Sequence, residues 1–211
     1  MTLSDVNANY EDVFQLNFPR LNSNEIVELV EHHPSWTQYN PRKPEIRREG
    51  LSLTSLDGGM SGVPDLDSLL QYGKETGKKF SEEDFNVKTS VVEELPEIEG
   101  LIDYFEEDTG RTHFIRMASG GYFPPHRDNG FVVPPTSFRI TVPLVDITPN
   151  GPFVWLIDGK PQTLLSGQTY YVNTTKSHSL FSMYDSFYLM VMNVVCSNKS
   201  LTKLIRRSKI V

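Results

Sequence analysis

The chain has 211 residues, of which 38% are hydrophobic and 11% aromatic, and its formal net charge is −7. This length and composition are typical of one globular domain with an ordinary apolar core. The negative charge disfavours unaided binding to a phosphate backbone, so we expect no nucleic-acid partner. No apolar run approaches the roughly eighteen residues of a membrane span, so we expect no membrane association.

The cysteine usage and the N-terminal sequence predict a compartment. Cys196 is the single cysteine and cannot form an internal disulfide, which is typical of a reducing environment. Residues 1–13 lack the basic and apolar regions of a signal peptide. We therefore expect a cytoplasmic protein, with Cys196 as a small core residue and not a nucleophile.

The first 110 residues have the patterns of helices and loops. Asn22 can cap a helix that includes Val30 and ends shortly after it, and helical spacing of apolar residues recurs over 65–73 and 91–105. The glycine-rich segment 57–62 lacks the Gly-Lys-Ser/Thr ending of a phosphate-binding loop. We expect it to be a surface loop or a cover over a substrate cleft.

From residue 111 the composition changes to that of short strands. The segments are rich in Val, Ile, Tyr, Phe and Thr and are separated by turn clusters such as 148–151 and 158–160. The predicted strands are His113–Met117, Arg139–Val145, Phe153–Ile157, Gln168–Val172 and Ser186–Val195. Short strands at this spacing predict an antiparallel sandwich or jelly roll.

We therefore predict one domain over residues 1–211, built from three parts. Residues 1–110 form a mixed helical and loop part that packs on a barrel, and 111–197 form the jelly-roll core. Residues 198–211 form a basic tail with five cations and no acid. The tail is either a solvated helix or a segment that docks on the acidic body, a second subunit or an anionic partner.

One short motif indicates a specific chemistry. His126 and Asp128 are separated by one residue, and His178 follows fifty residues after Asp128. Alternate side chains of a strand share a face, so the first two can point at one ion with their Cα atoms about 6.6 Å apart, while Arg127 points away. Two imidazoles and one carboxylate leave other coordination positions open, as in non-haem Fe(II) oxygenases. The alternative is an accidental surface motif and an unrelated histidine.

The sequence around this motif resembles a known family. Between about Thr112 and Cys196 the chain resembles the Fe(II)/2-oxoglutarate-dependent oxygenases, in particular their aspartyl/asparaginyl β-hydroxylase-like (prolyl-hydroxylase-like) branch. The matching elements, in order, are Arg116–Tyr122, Pro125–Asp128, Phe138–Leu144, Leu165–Tyr170, Ser177–Ser179 and Ser186–Val191. The first hundred residues carry no such resemblance.

The resemblance implies a double-stranded β-helix, a cupin-like jelly roll, with helices packed outside it. It also implies that His126, Asp128 and His178 bind Fe(II). The cosubstrates would be 2-oxoglutarate, which chelates the iron through its C1 carboxylate and keto oxygen, and O2. The products would be a hydroxylated substrate, succinate and CO2.

The chain departs from the family at the residue expected to bind the far carboxylate of 2-oxoglutarate. The family usually has Arg or Lys about ten residues after the second histidine, and this chain has Tyr188 there. The resemblance makes Arg139 the strongest replacement, because the β-hydroxylase-like branch also uses an Arg at that strand as a cosubstrate contact, and a guanidinium can bind a carboxylate through two hydrogen bonds. Arg116 and Lys176 are weaker candidates, and the Tyr188 hydroxyl and Thr141 could contribute. A structural ion pair is the alternative for Arg139.

Other residues near the motif have two interpretations. His113 is expected to be a hydrogen-bonded structural residue, with a fourth metal ligand as the alternative. Residues 129–137 form either a gating loop or a plain connection. The aromatic side chains are expected to be core residues, some of which line a substrate pocket, and they are Phe131, Phe153, Trp155, Tyr170 and Tyr171.

Three functions follow from these patterns. The main hypothesis is an Fe(II)/2-oxoglutarate-dependent dioxygenase that hydroxylates an amino-acid, peptide or protein side chain, with a small metabolite as the next substrate class. The second is a cupin-like metal enzyme that does not use 2-oxoglutarate, which the missing cation at Tyr188 favours. The third is a non-catalytic jelly-roll binding protein. The substrate and the oligomeric state are left open by the sequence.

Overall fold

The computed structural model describes residues 1–128 and 136–208. The helices α1 to α6 are Leu3–Asn9, Ser23–Val30, Leu69–Thr76, Ser90–Glu93, Pro96–Phe105 and Asn198–Arg207. The strands β1 to β13 are Val13–Gln15, Thr37–Gln38, Arg48–Ser52, Thr54–Ser55, Val87–Lys88, Thr109–Met117, Tyr122–His126, Ser137–Pro143, Phe153–Ile157, Lys160–Pro161, Tyr170–Val172, His178–Ser182 and Phe187–Val195. Two short 3₁₀ turns lie at Glu82–Asp84 and Glu106–Asp108.

Two antiparallel sheets form a barrel. The larger sheet has the order β1-β11-β8-β13-β6-β3-β2, and the smaller has the order β10-β9-β12-β7. From β6 to β13 the chain passes back and forth between the two sheets, so that β6, β8, β11 and β13 lie in one and β7, β9, β10 and β12 in the other. This alternation is the topology of a jelly roll, or double-stranded β-helix. The predicted fold class is confirmed.

The space between the sheets is closed at one end by an apolar cluster. Side chains from both sheets meet there, including Met117 and Phe187 from the large sheet and Phe153 and Leu180 from the small one. Each of these positions is buried. The alternation of strand side chains therefore gives both sheets an apolar inner face.

The outer face of the large sheet packs against helices. Phe114, Met190 and Met192 project to this side and join one cluster with the apolar residues of α5, such as Ile98 and Ile102. Helices α2 and α6 contribute to the same cluster. The helices outside the barrel thus cover the sheet face that does not line its interior.

The N-terminal part contributes strands as well as helices. β1 pairs with β11, while β3 pairs with β6 and β2 with β3, so the large sheet is extended at both edges. These strands are two to five residues long and do not alternate between buried and exposed positions. The predicted mixture of helices and loops over residues 1–110 therefore missed them.

The helices differ from the predicted ranges for local reasons. The side chain of Asn22 accepts from the backbone N–H of Glu25 and caps α2, as expected. The predicted helix over 91–105 is divided into α4 and α5, because Pro96 cannot donate a hydrogen bond to the preceding turn and instead occupies the first turn of α5.

The basic tail forms α6 and docks on the body of the protein. Leu201 and Leu204 are buried against the core. Lys199 pairs with Glu106 and Glu107, and the Arg207 guanidinium lies 4.6 Å from the ring centroid of Phe18. Of the alternatives for the tail, docking on the acidic body is the one that residues 198–208 adopt. Within the described ranges no helix is long and apolar enough to cross a membrane.

Candidate metal centre

Two adjacent strands of the small sheet bring the two histidines together. His126 is the last residue of β7 and His178 the first of β12, and the two residues are direct partners in the antiparallel register. Their ring centroids are 4.2 Å apart. Asp128 follows two residues after His126, and Arg127 between them is exposed. The sheet register, and not the local sequence, therefore sets the distance between the histidines.

The three side chains converge on one point. His126 Nε2 lies 3.6 Å from Asp128 Oδ1, and His178 Nε2 lies 4.0 Å from the same oxygen. One ligand atom from each residue lies within 4.8 Å of the others. Neighbouring ligands of a six-coordinate ion with bonds of about 2.1 Å are about 3 Å apart. Movements of about an ångström would therefore bring all three atoms into bonding distance of one ion.

Backbone carbonyls orient both imidazole rings. His126 Nδ1 lies 2.7 Å from the oxygen of Pro124, and His178 Nδ1 lies 3.1 Å from the oxygen of Lys176. A carbonyl oxygen only accepts, so each Nδ1 donates its proton, and in the neutral form of each ring Nε2 presents a lone pair. Both lone pairs are then available to a cation beside Asp128.

The electrostatics also match a metal-binding set. Burial lowers the pKa of His178 to about 4, so this ring is neutral at physiological pH. Burial alone would raise the pKa of Asp128, but Arg139 and the two histidines hold it at about 2. The centre therefore offers an ionised carboxylate and a neutral imidazole, which are the states in which these groups bind metal.

Arg139 lies beside the predicted metal ligands. It projects from β8, is largely buried, and its Nη2 donates to Asp128 Oδ2. The guanidinium thus holds one carboxylate oxygen and leaves Oδ1 facing the two histidines. The sequence predicted Arg139 as a cosubstrate contact; the structure places it in the lining of the cavity that contains His126, Asp128 and His178, with a hydrogen bond to Asp128.

The candidate metal centre lies in a cavity between the two sheets. The cavity is bordered by both sheets and by Tyr39 from the N-terminal part. Its lining residues are Tyr39, His113, Ile115, Phe123, His126, Asp128, Arg139, Trp155, Thr174, His178, Leu180, Leu189 and Val191. Most of them are apolar or aromatic, as in small-molecule sites.

His113 differs from the expectation of a hydrogen-bonded structural residue. It is buried on the inner face of β6, and neither ring nitrogen has a hydrogen-bond partner among the described residues. Burial holds its pKa well below the usual value for histidine, so the ring is neutral. Its ring centroid lies 5.4 Å from that of Tyr39.

The aromatic side chains divide between cavity wall and core. Trp155 lines the cavity, and its Nε1 is buried without a partner among residues 1–128 and 136–208. Trp155 also belongs, with Phe153 and Tyr170, to the apolar cluster between the sheets, while Tyr171 belongs to the outer cluster. Phe131 lies outside the described residues, as do positions 129–135 of the predicted loop.

Tyr188 and Arg116, two predicted cosubstrate contacts, lie on the outer face of the large sheet. Tyr188 packs against Trp36, and Arg116 pairs with Glu49 at 2.6 Å and stacks over Trp36. The reason is strand alternation: on β13 the inward neighbour of Tyr188 is Leu189, which lines the cavity. The expectation that Tyr188 and Arg116 reach a cosubstrate is therefore corrected.

The remaining predicted candidates have ordinary structural contacts. The Thr141 hydroxyl donates to the backbone oxygen of Met190 at 2.8 Å, next to the cavity wall. Lys176 Nζ lies 3.3 Å from Asp158 at the protein surface. Cys196 is half-buried, and burial raises the pKa of its thiol to about 11, as expected for a residue that is not a nucleophile.

Sequence reasoning missed Tyr39 and Phe123 as cavity residues. Their ring centroids are 5.3 Å apart, and Phe123 lies 6.2 Å from His126, so the two rings continue the wall next to the metal centre. Phe123 lies three residues before His126 on β7, where regular strand alternation would place the two side chains on opposite faces. The β-bulge in the β7–β12 pair changes this alternation, and strand alternation alone could not indicate Phe123 without knowledge of the bulge. Tyr39 follows a two-residue strand, and no sequence signal points to it.

Comparison with known proteins gives only distant structural likeness. No protein-family model matches the chain, and no curated protein does. A predicted oxalate decarboxylase from Thermotoga maritima has 14% identity and a TM-score of 0.34, over 44% of this chain and 73% of that chain. KdgF from a Halomonas species has 12% identity and a TM-score of 0.31, over 44% of this chain and 74% of that chain.

Salicylate 1,2-dioxygenase from Pseudaminobacter salicylatoxidans is a third such structure. It has 15% identity and a TM-score of 0.30, over 40% of this chain and 20% of that chain. This chain therefore spans about a fifth of the dioxygenase. At scores this low, the fold class depends on the strand order of the two sheets, and the activities of these proteins are not carried over.

Proposed function

We propose that the protein is a non-haem Fe(II) dioxygenase that uses 2-oxoglutarate and O2 to hydroxylate an amino-acid, peptide or protein side chain. Succinate and CO2 are the co-products. The observation that carries the proposal is the convergence of His126 Nε2, His178 Nε2 and Asp128 Oδ1 at the mouth of a barrel cavity. Two imidazoles and one carboxylate suit Fe(II) and leave three positions for cosubstrates.

The residues of the centre fit a divalent ion on three grounds. Their ligand atoms are close together, the backbone oxygens of Pro124 and Lys176 fix the histidine tautomers, and Asp128 is ionised. Bound iron would supply the activation of O2. The protein's own contribution is to hold the ion, orient the cosubstrate and keep water away from the reacting groups with the apolar walls of the cavity.

Arg139 supports the use of an anionic cosubstrate. It brings a positive charge to the cavity beside the metal ligands and keeps Asp128 ionised. 2-Oxoglutarate carries two carboxylates and would be attracted by this charge together with that of the metal.

One observation favours the second candidate, a cupin-like metal enzyme that does not use 2-oxoglutarate. Arg139 already donates through Nη2 to Asp128, and the inward residue on β13 near the expected basic position is Leu189. A far carboxylate would then have no cation at the position where the resemblance leads us to expect one. The third candidate, a non-catalytic binding protein, requires that the histidines and Asp128 hold no metal.

The lining of the cavity supports the substrate class. Its walls are mostly apolar and aromatic with a few polar groups, as in sites that bind small molecules or single side chains. A peptide or protein substrate would place one side chain against the wall that the contacting rings of Tyr39 and Phe123 form beside His126. A nucleic-acid substrate is disfavoured by the net charge of −7.

The test is an anaerobic absorption titration of metal-free protein with Fe(II) and then with 2-oxoglutarate. A visible iron-to-cosubstrate charge-transfer band that is absent from His126→Ala supports the first candidate. Iron binding without the band supports the second, and a protein that binds no iron excludes both enzymes. His32→Ala is the matched control, because His32 lies on the surface far from the cavity and its loss leaves the band unchanged.

A further inference from the structure

Two polar side chains of the cavity have no partner. His113 Nδ1 and Nε2 and Trp155 Nε1 are all buried and without a hydrogen bond among the described residues, and both side chains line the cavity. A buried polar group without a partner destabilises a folded protein, so it is usually paired with protein, water or a ligand. Trp36 shows the ordinary situation, since its buried Nε1 donates to the oxygen of Val30 at 2.7 Å.

The other polar groups of the cavity that carry the metal proposal are already paired. Both metal-centre histidines contact backbone oxygens, and Asp128 contacts Arg139. Among the described residues that line the cavity, the buried polar atoms left without any hydrogen-bond partner are those of His113 and Trp155. They lie between apolar residues, which keeps competing water out and favours a hydrogen bond to a ligand oxygen.

His113 and Trp155 lie at the same depth in the barrel. On the small sheet, His178 pairs with Ile157, and Trp155 is two residues further in. On the large sheet, Arg139 pairs with Asn193 of β13, and His113 pairs with Val191, two residues away on the same strand. His113 therefore also lies two residues deeper in the barrel than Arg139. Two residues of strand correspond to about 6.6 Å.

This depth matches the length of a ligand held by the metal at one end. In 2-oxoglutarate, two methylene groups separate the keto carbon from the far carboxylate, which is about 4 Å in an extended chain. With a metal–oxygen bond of about 2 Å, the far carboxylate reaches about 6 Å into the cavity. The apolar side chains of Ile115, Leu189 and Val191 line the cavity that its methylene groups would occupy.

We infer that His113 and Trp155 hold the carboxylate of 2-oxoglutarate that does not bind the metal, an inference that rests on the proposed function. Trp155 donates its indole N–H to one carboxylate oxygen, and His113 donates a ring N–H to the other. Arg139 adds positive charge while its hydrogen bond remains on Asp128. This pair replaces the cation that the resemblance led us to expect at Tyr188.

The experiment measures two quantities on the same set of variants. The set is wild type, His113→Phe, His113→Asn, Trp155→Phe and the control Trp36→Phe. Calorimetry under anaerobic conditions gives the Fe(II) affinity and then the Kd of 2-oxoglutarate for the Fe(II)-loaded protein. Thermal unfolding of the metal-free proteins gives their midpoints.

The inference predicts opposite patterns for the two tryptophans. Trp155→Phe and His113→Phe each weaken 2-oxoglutarate binding by about tenfold or more, because a hydrogen bond to a charged group is lost. His113→Asn, which keeps a donor, restores part of it, and Trp36→Phe leaves the Kd unchanged. In metal-free protein, Trp36→Phe lowers the unfolding midpoint by at least about 2 °C, because the bond to the Val30 oxygen is lost, whereas the two cavity variants lose no hydrogen bond and lower it less.

The outcomes separate the inference from the proposed function. A wild-type protein that binds no Fe(II) overturns the proposed function and this inference together. If wild type binds Fe(II) but not 2-oxoglutarate, the proposed use of 2-oxoglutarate and this inference both fail. If wild type binds both, and binds 2-oxoglutarate no more tightly than Trp155→Phe and His113→Phe do, the inference alone fails. Midpoints of both cavity variants that fall as far as that of Trp36→Phe also overturn it, because these side chains are then ordinary core residues.

Discussion

The two faces of the seven-stranded sheet differ in what their side chains contact. The outer face packs against α2, α5 and α6, and on β13 it presents Met190, Met192 and Val194 to the helices. The inner face borders the cavity and places Arg139 and His113 among apolar neighbours. Substitutions on the outer face should therefore lower the free energy of unfolding and leave Fe(II) binding unchanged. Substitutions at His126, Asp128 or His178 should weaken Fe(II) binding and have less effect on stability.

The largest expected effect is the loss of a metal ligand. His178→Ala should weaken Fe(II) binding by about a thousandfold or more, beyond the 10–100-fold typical of residues that only orient a ligand. Equilibrium dialysis under anaerobic conditions measures this, with His32→Ala as the control. A His178→Ala protein that binds Fe(II) as tightly as wild type would mean that the centre does not lie between β7 and β12.

The next largest effect is expected on the outer face. Met190 is fully buried between the sheet and the helices, so Met190→Ala should lower the free energy of unfolding by at least about 2 kcal/mol. Urea unfolding followed by circular dichroism checks the stability, and the Fe(II) affinity of the folded variant should equal that of wild type. A variant with wild-type stability but weaker metal binding would contradict the division between the two faces.

The third prediction concerns acidification of the metal-free protein. The pKa of His178 is lowered by burial from about 6.5 when unfolded to about 4 when folded, so below pH 6.5 the unfolded state takes up a proton that the folded state refuses. The free energy of unfolding should then fall by roughly 2 kcal/mol between pH 6.5 and 5, since one pKa unit is about 1.4 kcal/mol. His113 contributes with the same sign.

His178→Asn tests this assignment, because it removes one of the two histidines whose pKa is lowered by burial and leaves His113 in place. Urea unfolding at pH 5 and pH 7 should show a smaller difference for the variant than for wild type. An equal difference would locate the pH dependence elsewhere.

The smallest effect is expected where α6 docks on the body. Lys199 pairs with Glu106 and Glu107 at an exposed site, so Lys199→Ala should change the free energy of unfolding by less than about 1 kcal/mol. Leu204→Ala removes a fully buried side chain from the same helix and should cost more. Thermal unfolding compares the two, and an equal loss would mean that charge, not apolar burial, holds the helix.

The sequence predicted what depends on residue type and order. Short β-rich segments separated by turns predicted the jelly roll, and the topology confirms it. The spacing of His126, Asp128 and His178 predicted that they would meet, because a strand presents alternate residues on one face and a sheet brings distant strands together. The structure brings these three residues together.

Which face each residue occupies was harder to predict. The basic residue of the family is expected about ten residues after His178, at Tyr188. Between the two residues the chain turns at Ser186, which has a positive φ of 68°, before β13 begins. A change of one residue in such a count moves a side chain to the opposite face of the sheet, and Leu189 occupies the inward position. Tyr39 could not be predicted either, because it reaches the cavity from an edge strand of two residues.

The most direct test of the metal centre is anomalous diffraction from crystals of the protein prepared with Fe(II) in the absence of O2. The account predicts one strong peak within about 2.3 Å of His126 Nε2, His178 Nε2 and Asp128 Oδ1. An iron peak at any other position, or none between these three atoms in crystals saturated with Fe(II), would contradict it.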